Sequence, residues 1–152
     1  RRIGFVVSRI TSERLDDRWR SGYLLAASRF PPAERLAPLL CEEPDGIPAA
    51  LPAWCRSERP DVVIFGNYDP ASPFVLPRGV DTVALDVISP DGELTGIFQD
   101  HQRVGAIAVE HLVSRLQRGE YGANDRARLH LLAGTWAPGK TAPGLRAARA
   151  PR

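Results

Sequence analysis

Residues 95–113 read T-G-I-F-Q-D-H-Q-R-V-G-A-I-A-V-E-H-L-V. The first four are short, apolar and strand-like. From His101 on, Val104, Ile107, Ala108, Leu112, Val113 and Leu116 recur at three- and four-residue spacing, which predicts an amphipathic helix over 101–118 with Gly119 just past its end. Gln99 and Asp100 stand where the strand hands the chain to the helix. In open α/β sheets such joints carry ligand contacts, because loops converge there and helix N-termini offer free N–H donors.

Working outward, the same alternation recurs. Residues 3–7 (I-G-F-V-V), 61–65 (D-V-V-I-F) and 82–85 (T-V-A-L) are short apolar runs of the kind buried on both faces of a parallel sheet. Residues 36–40, 94–98 and 129–132 (L-H-L-L) are further expected strands. Residues 12–30 predict one helix, with Leu15, Trp19, Tyr23 and Ala26 on one face, Thr11 or Ser12 as its cap and Pro31-Pro32 as its stop. A second helix starts near Pro48, with Pro52 expected in its first turn. Residues 68–80 are proline-rich and predict no long helix, and 89–92 (S-P-D-G) is a turn. The expected class is α/β with a mainly parallel sheet.

Composition sets bounds. Among 152 residues, 43% are hydrophobic and 25% charged, as in an ordinary globular domain that builds a core. A net charge of +2 is too mild for a nucleic-acid surface, and Lys140 is the only lysine. No apolar run approaches the roughly 18 residues of a membrane span, and no secretory leader is visible, so the chain is read as cytoplasmic. Cys41 and Cys55 are expected as free thiols. His101, His111 and His130 are scattered without zinc-site spacing, so no metal is expected; nor is any cofactor. With no P-loop, G-x-S-x-G or G-x-G-x-x-G and no base near Ser8, Ser12 or Ser89, the sequence reads as non-enzymatic.

Polar residues at the strand ends form a short set: Asn67, Asp86, Gln99 and Asp100. Amides and a carboxylate suit a hydroxyl-rich or otherwise polar small molecule. Each has a structural alternative. Asn67 after Gly66 fits a left-handed turn, and Asp86 fits a local cap. Asp100 fits the N-cap of the long helix, which leaves Gln99 for the pocket.

In order, these pieces resemble the effector-binding domain of the LacI/GalR family of bacterial transcription regulators. R-I-G-F (2–5), the helix D-R-W-R-S-G-Y (17–23), R-P-D-V-V-I-F-G-N (59–67), V-A-L-D (83–86), L-T-G-I-F-Q-D-x-x-x-V-G-x-x-A-V-x-x-L (94–112) and the closing L-L-A-G-T-W-A-P-G-K-T match the family's segments over most of the first 141 residues. In that closing piece Trp136 and Thr141 stand in for the family's ending, and Gly105 is expected to allow close backbone packing of the long helix. Where many members carry a sugar-clamping arginine, this chain has Trp19, which stacks on a sugar ring or packs in the core.

The resemblance implies a periplasmic-binding-protein-like (type I) fold of Rossmann-like lobes. Residues 1–86 would form the distal lobe. Residues 87–141 would carry the crossover, long helix and last strand of an incomplete proximal lobe. By composition rather than by resemblance, 142–152 is expected to be a disordered tail, basic and small-residue-rich from Arg146 on. The resemblance implies Asn67, Asp86, Gln99 and Trp19 as ligand contacts, a sugar-like effector, a homodimer, and operator DNA bound through a helix-turn-helix domain upstream. The absence of methionine and the opening on Arg1 fit a piece of a longer protein. The long helix would then lack sheet partners, and self-association is expected. A periplasmic sugar-binding protein of the same fold and a small α/β enzyme are the alternatives.

Overall fold

A computed structural model describes residues 1–66, 79–122 and 129–145. Six strands form one sheet: β1 (Ile3–Ser8), β2 (Leu39–Cys41), β3 (Val62–Phe65), β4 (Asp81–Val87), β5 (Thr95–Phe98) and β6 (Thr135–Ala137). The order is β2-β1-β3-β4-β5-β6, every pairing parallel except the antiparallel β5–β6 edge. The helices are α1 (Arg9–Arg14), α2 (Arg18–Ala27), α3 (Ile47–Glu58) and α4 (His101–Gln117).

The central strands are apolar on both sides because both faces are covered. Ile47, Leu51 and Cys55 of α3 bury against Val6, Val63 and Phe65. On the opposite face Tyr23 of α2 stacks on Phe5 with ring centroids 5.2 Å apart. Its hydroxyl lies 2.9 Å from the Ile3 carbonyl and 2.8 Å from that of Leu36, donating to either. Burial pushes the Tyr23 phenol up, with Glu58 adding to the effect. Both cysteines are free, and burial raises both thiols.

Several expectations are corrected. The helix read over 12–30 is two helices, broken where Asp16 and Asp17 adopt left-handed backbone at φ 50° and 55°. The Ser12 hydroxyl donates to the Asp17 carboxylate and stabilises the break. Ser8, not Thr11 or Ser12, caps α1 by accepting from the Thr11 N–H at 3.2 Å. Pro52 sits inside α3 rather than in its first turn, which Pro48 occupies. Packing of Ile47, Leu51 and Cys55 outweighs the helical hydrogen bond that Pro52 cannot make.

Residues 129–132 form no strand: Leu129 and Leu131 are 82% and 84% exposed. The last strand is β6, because Thr135–Ala137 can pair with the free edge of β5. Ordered packing also runs past residue 141, since Ala142 and Leu145 cover Val62 and Val83.

Three threonines hold that closing stretch. The Thr141 hydroxyl accepts from the Thr95 N–H at 2.9 Å and donates to the Thr82 carbonyl at 2.8 Å. The Thr82 N–H donates to the Thr141 carbonyl. Thr95 Oγ1, fully buried, accepts from the N–H groups of Gly139 and Ala142 at 3.2 and 3.1 Å. Between them Gly96 lies so close to β4 that a Cβ there would collide with the Ala84 carbonyl oxygen.

The long helix starts where expected. Asp100, at φ 50°, caps it by accepting from the Arg103 N–H at 3.1 Å. It ends in a Schellman motif, with Gly119 at φ 70° and the Glu120 N–H bonded to the Arg115 carbonyl. None of its residues is buried; Val104, Leu112, Val113 and Leu116 are exposed, and Gly105 faces open space instead of a close-packed neighbour. The apolar stripe read from the sequence is therefore uncovered. Among the described residues, no helix is long and apolar enough to cross a membrane.

Thr95→Val keeps the side-chain shape but strips one buried N–H donor, that of Ala142, and one half-buried donor, that of Gly139, of their acceptor. We expect a loss of about 1–3 kcal/mol for each orphaned donor, read as a lower urea midpoint. An unchanged midpoint would show that the threonine contacts contribute nothing.

Candidate functional site

The carboxyl ends of β1, β4 and β5 open onto a cleft of about 300 Å³ lined by Thr11, Arg14, Leu15, Trp19, Asp86, Gln99 and His101. That volume suits a small molecule. Asp86 arrives near the end of β4, Gln99 directly after β5, and Trp19 from the first turn of α2. The β4–β5 register pairs Val87 with Phe98, so the residues beside that pair become neighbours across the strand ends. Three of the four residues expected from the sequence, Trp19, Asp86 and Gln99, therefore share one cleft. Asn67 lies outside the described residues.

Trp19 is half-buried and leans over the end of β3, where a Cβ at Gly66 would press on the indole and on Val7. Its ring also borders an apolar cavity of about 420 Å³ beneath α2, lined by Phe5, Tyr23, Phe30 and Ile64. Although that cavity is larger, it offers few polar groups to orient a ligand. The chemistry sits in the smaller cleft, and Trp19 is the wall between them.

Gln99 donates its side-chain N–H to the Leu85 carbonyl at 3.0 Å. That bond aims the amide and leaves its oxygen as an acceptor. Asp86 faces His101, whose Nε2 stands 3.1 and 3.0 Å from the two carboxylate oxygens. The pair is open to solvent, with side chains 39% and 64% exposed, so an incoming hydroxyl or amine can compete for the carboxylate. Thr11 accepts from the Ser8 hydroxyl at 2.9 Å and keeps its own hydrogen to donate. Arg14 brings a cationic group with no ion-pair partner among the described residues.

His101, Arg14 and Thr11 were missed by sequence reasoning. His101 meets the carboxylate only because α4 starts directly after Gln99-Asp100 beside the irregular end of β4, which strand spacing alone does not give. Arg14 and Thr11 depend on the short α1 and on the break at Asp16-Asp17, which turns the chain back over the strand ends. Arg18 and Arg20, flanking Trp19, pair with Asp16 and Asp17 outside the cleft.

The result is a hydrogen-bonding surface with an aromatic wall. It presents two acceptors, a hydroxyl donor, an imidazole and a guanidinium around a half-buried indole. Such a set grips a compact polar molecule by its hydroxyl or amine groups while one face lies on the ring. The Ser8 and Ser12 hydroxyls are engaged within their own loop. Among the described residues, no group of three or more metal-ligating side chains is present. No family model, curated protein or solved structure matches the chain.

Because the Asp86–His101 pair is exposed, His101→Ala is expected to change folding stability by less than about 1 kcal/mol in urea unfolding. A larger loss would mean that the pair is a structural element of the fold and not a replaceable lining of the cleft.

Proposed function

We propose that this chain is the effector-binding and dimerising domain of a LacI/GalR-type transcription regulator, and that a sugar or similar polar molecule binds between Trp19, Asp86 and Gln99. One observation carries the reading: side chains from three separate segments line one cleft at the carboxyl ends of a mostly parallel sheet. The residue types also fit, since a carboxylate, an amide and an indole are what a polyhydroxylated ring needs.

In this reading β1–β4 form the distal lobe of a periplasmic-binding-protein-like fold. β5 is the segment crossing to a proximal lobe, and α4 belongs to that second lobe. Support comes from α4 itself, a 17-residue amphipathic helix with no buried residue. A helix built to pack on another sheet would leave its apolar face bare in this way. Operator DNA would be read through a helix-turn-helix segment N-terminal to this chain, in the cytoplasm. The cleft binds rather than turns over its ligand.

The mechanism is differential affinity. A ligand that binds one arrangement of the two lobes about 100-fold better than the other shifts their equilibrium by about 2.7 kcal/mol, enough to change operator occupancy. Asp86 and His101 join the end of β4 to the start of α4, so a ligand that displaces the imidazole acts on both lobes at once.

The test is calorimetric titration of the protein with a panel of pentoses, hexoses and polyols. We expect at least one to bind, and Asp86→Ala and Gln99→Ala each to weaken it by about 1–3 kcal/mol, or roughly 5- to 150-fold. A panel with no binder, or affinity in both variants unchanged from the parent, would remove these residues from the site.

A further inference from the structure

His111, on α4, and His130, in the stretch leading to β6, meet with ring centroids 5.0 Å apart and planes tilted by 58°. Nothing in their sequence spacing announces this contact. Neither imidazole has a hydrogen-bond partner among the described residues, so all ring nitrogens are available. The rings lie at the surface, His111 half-buried and His130 exposed, where an ion can reach them.

We propose that His111 and His130 form a two-imidazole site for a divalent transition-metal ion, which fastens residues 129–134 to α4. With a metal–nitrogen bond of about 2.0–2.1 Å and tetrahedral angles, two imidazoles on one ion hold their centroids about 5 Å apart. The observed centroid separation of 5.0 Å matches that spacing. Two neutral nitrogen donors select Zn²⁺, Ni²⁺ or Cu²⁺ over Ca²⁺ or Mg²⁺, which require oxygen ligands. Among the described residues no third histidine, cysteine or carboxylate completes the set, so water fills the remaining positions.

The stretch has a reason to need a fastening. Residues 129–134 form no regular structure and make no backbone hydrogen bonds in turns or loops among the described residues. Leu129 and Leu131, 82% and 84% exposed, do not anchor it by burial. The imidazole contact ties it to α4. A metal ion would turn that ring contact into coordinate bonds and set the path by which the chain enters β6. His130 also borders the space beside Trp19 and Gln99, but the proposed ligands, His111 and His130, are not among the residues that line the Asp86–His101 cleft.

The experiment is titration of the protein, prepared without a histidine tag, with Ni²⁺, Zn²⁺ and Cu²⁺ by calorimetry at neutral pH. We expect one ion per chain, with Cu²⁺ tighter than Ni²⁺. His111→Ala and His130→Ala should each weaken binding at least about tenfold, since losing a ligand costs no less than losing its supporting shell. Zn²⁺ should slow amide exchange over residues 129–134 in the parent chain and in neither variant. A parallel measurement needs no substitution: substoichiometric Cu²⁺ should broaden the His111 and His130 ring protons together. Absence of binding, affinity in both variants unchanged from the parent, or broadening of His101 alone would overturn the assignment.

Discussion

The parallel pairing of β4 with β5 is the constraint on which the site depends. It is an unusual junction, because the chain returns from Val87 to Thr95 without a helix to cover the crossover. Two features hold it. Gly96 admits the Ala84 carbonyl at a distance that any side chain would forbid. The Thr141 hydroxyl then bridges the Thr95 N–H and the Thr82 carbonyl, and the Thr95 hydroxyl accepts from the N–H groups of Gly139 and Ala142. Leaving buried polar groups unpaired is costly, so each threonine specifies where the other two segments must lie. Without that register, Asp86 would not meet His101, and Gln99 would not reach the Leu85 carbonyl.

From this junction the cleft follows. Residues just beyond paired parallel strands emerge side by side, which brings a carboxylate, an amide and an imidazole to one edge of the sheet. The broken helix at Asp16-Asp17 supplies the opposite wall, with Arg14 before the break and Trp19 after it. The two sides differ in rigidity. The strand ends are fixed by ladder hydrogen bonds and the threonines, whereas α4 leaves the sheet at Asp100 with its apolar face uncovered. A ligand touching both Gln99 and His101 therefore contacts the sheet and the root of a helix that the sheet does not restrain.

Much of the fold was legible because burial on two faces writes itself as continuous apolar runs. β1, β3, β4 and β5 are such runs, and α4 shows a periodic stripe together with its Asp100 cap and Gly119 stop. The same logic misled at residues 129–132, where L-H-L-L looks buried but stays exposed, while T-W-A pairs with the sheet. Hydrophobicity marks what prefers burial; edge availability decides what gets it. The helix break was hidden for a different reason. Asp16 and Asp17 are acceptable on a helix surface, and only the Ser12 contact makes the left-handed turn preferable. Trp19, Asp86 and Gln99 were readable as strand-end or motif positions. Arg14, His101 and the His111–His130 contact were not read from the sequence, since each depends on segments brought together by tertiary structure.

The most direct test of the account follows individual side chains during ligand binding. In a ¹⁵N-correlated NMR titration with a mixture of monosaccharides and polyols, the account predicts joint shifts of the Trp19 indole N–H and the Gln99 side-chain amide, with the His101 ring moving at the same midpoint. Shifts confined to residues beneath α2, or none at saturating ligand, would contradict it.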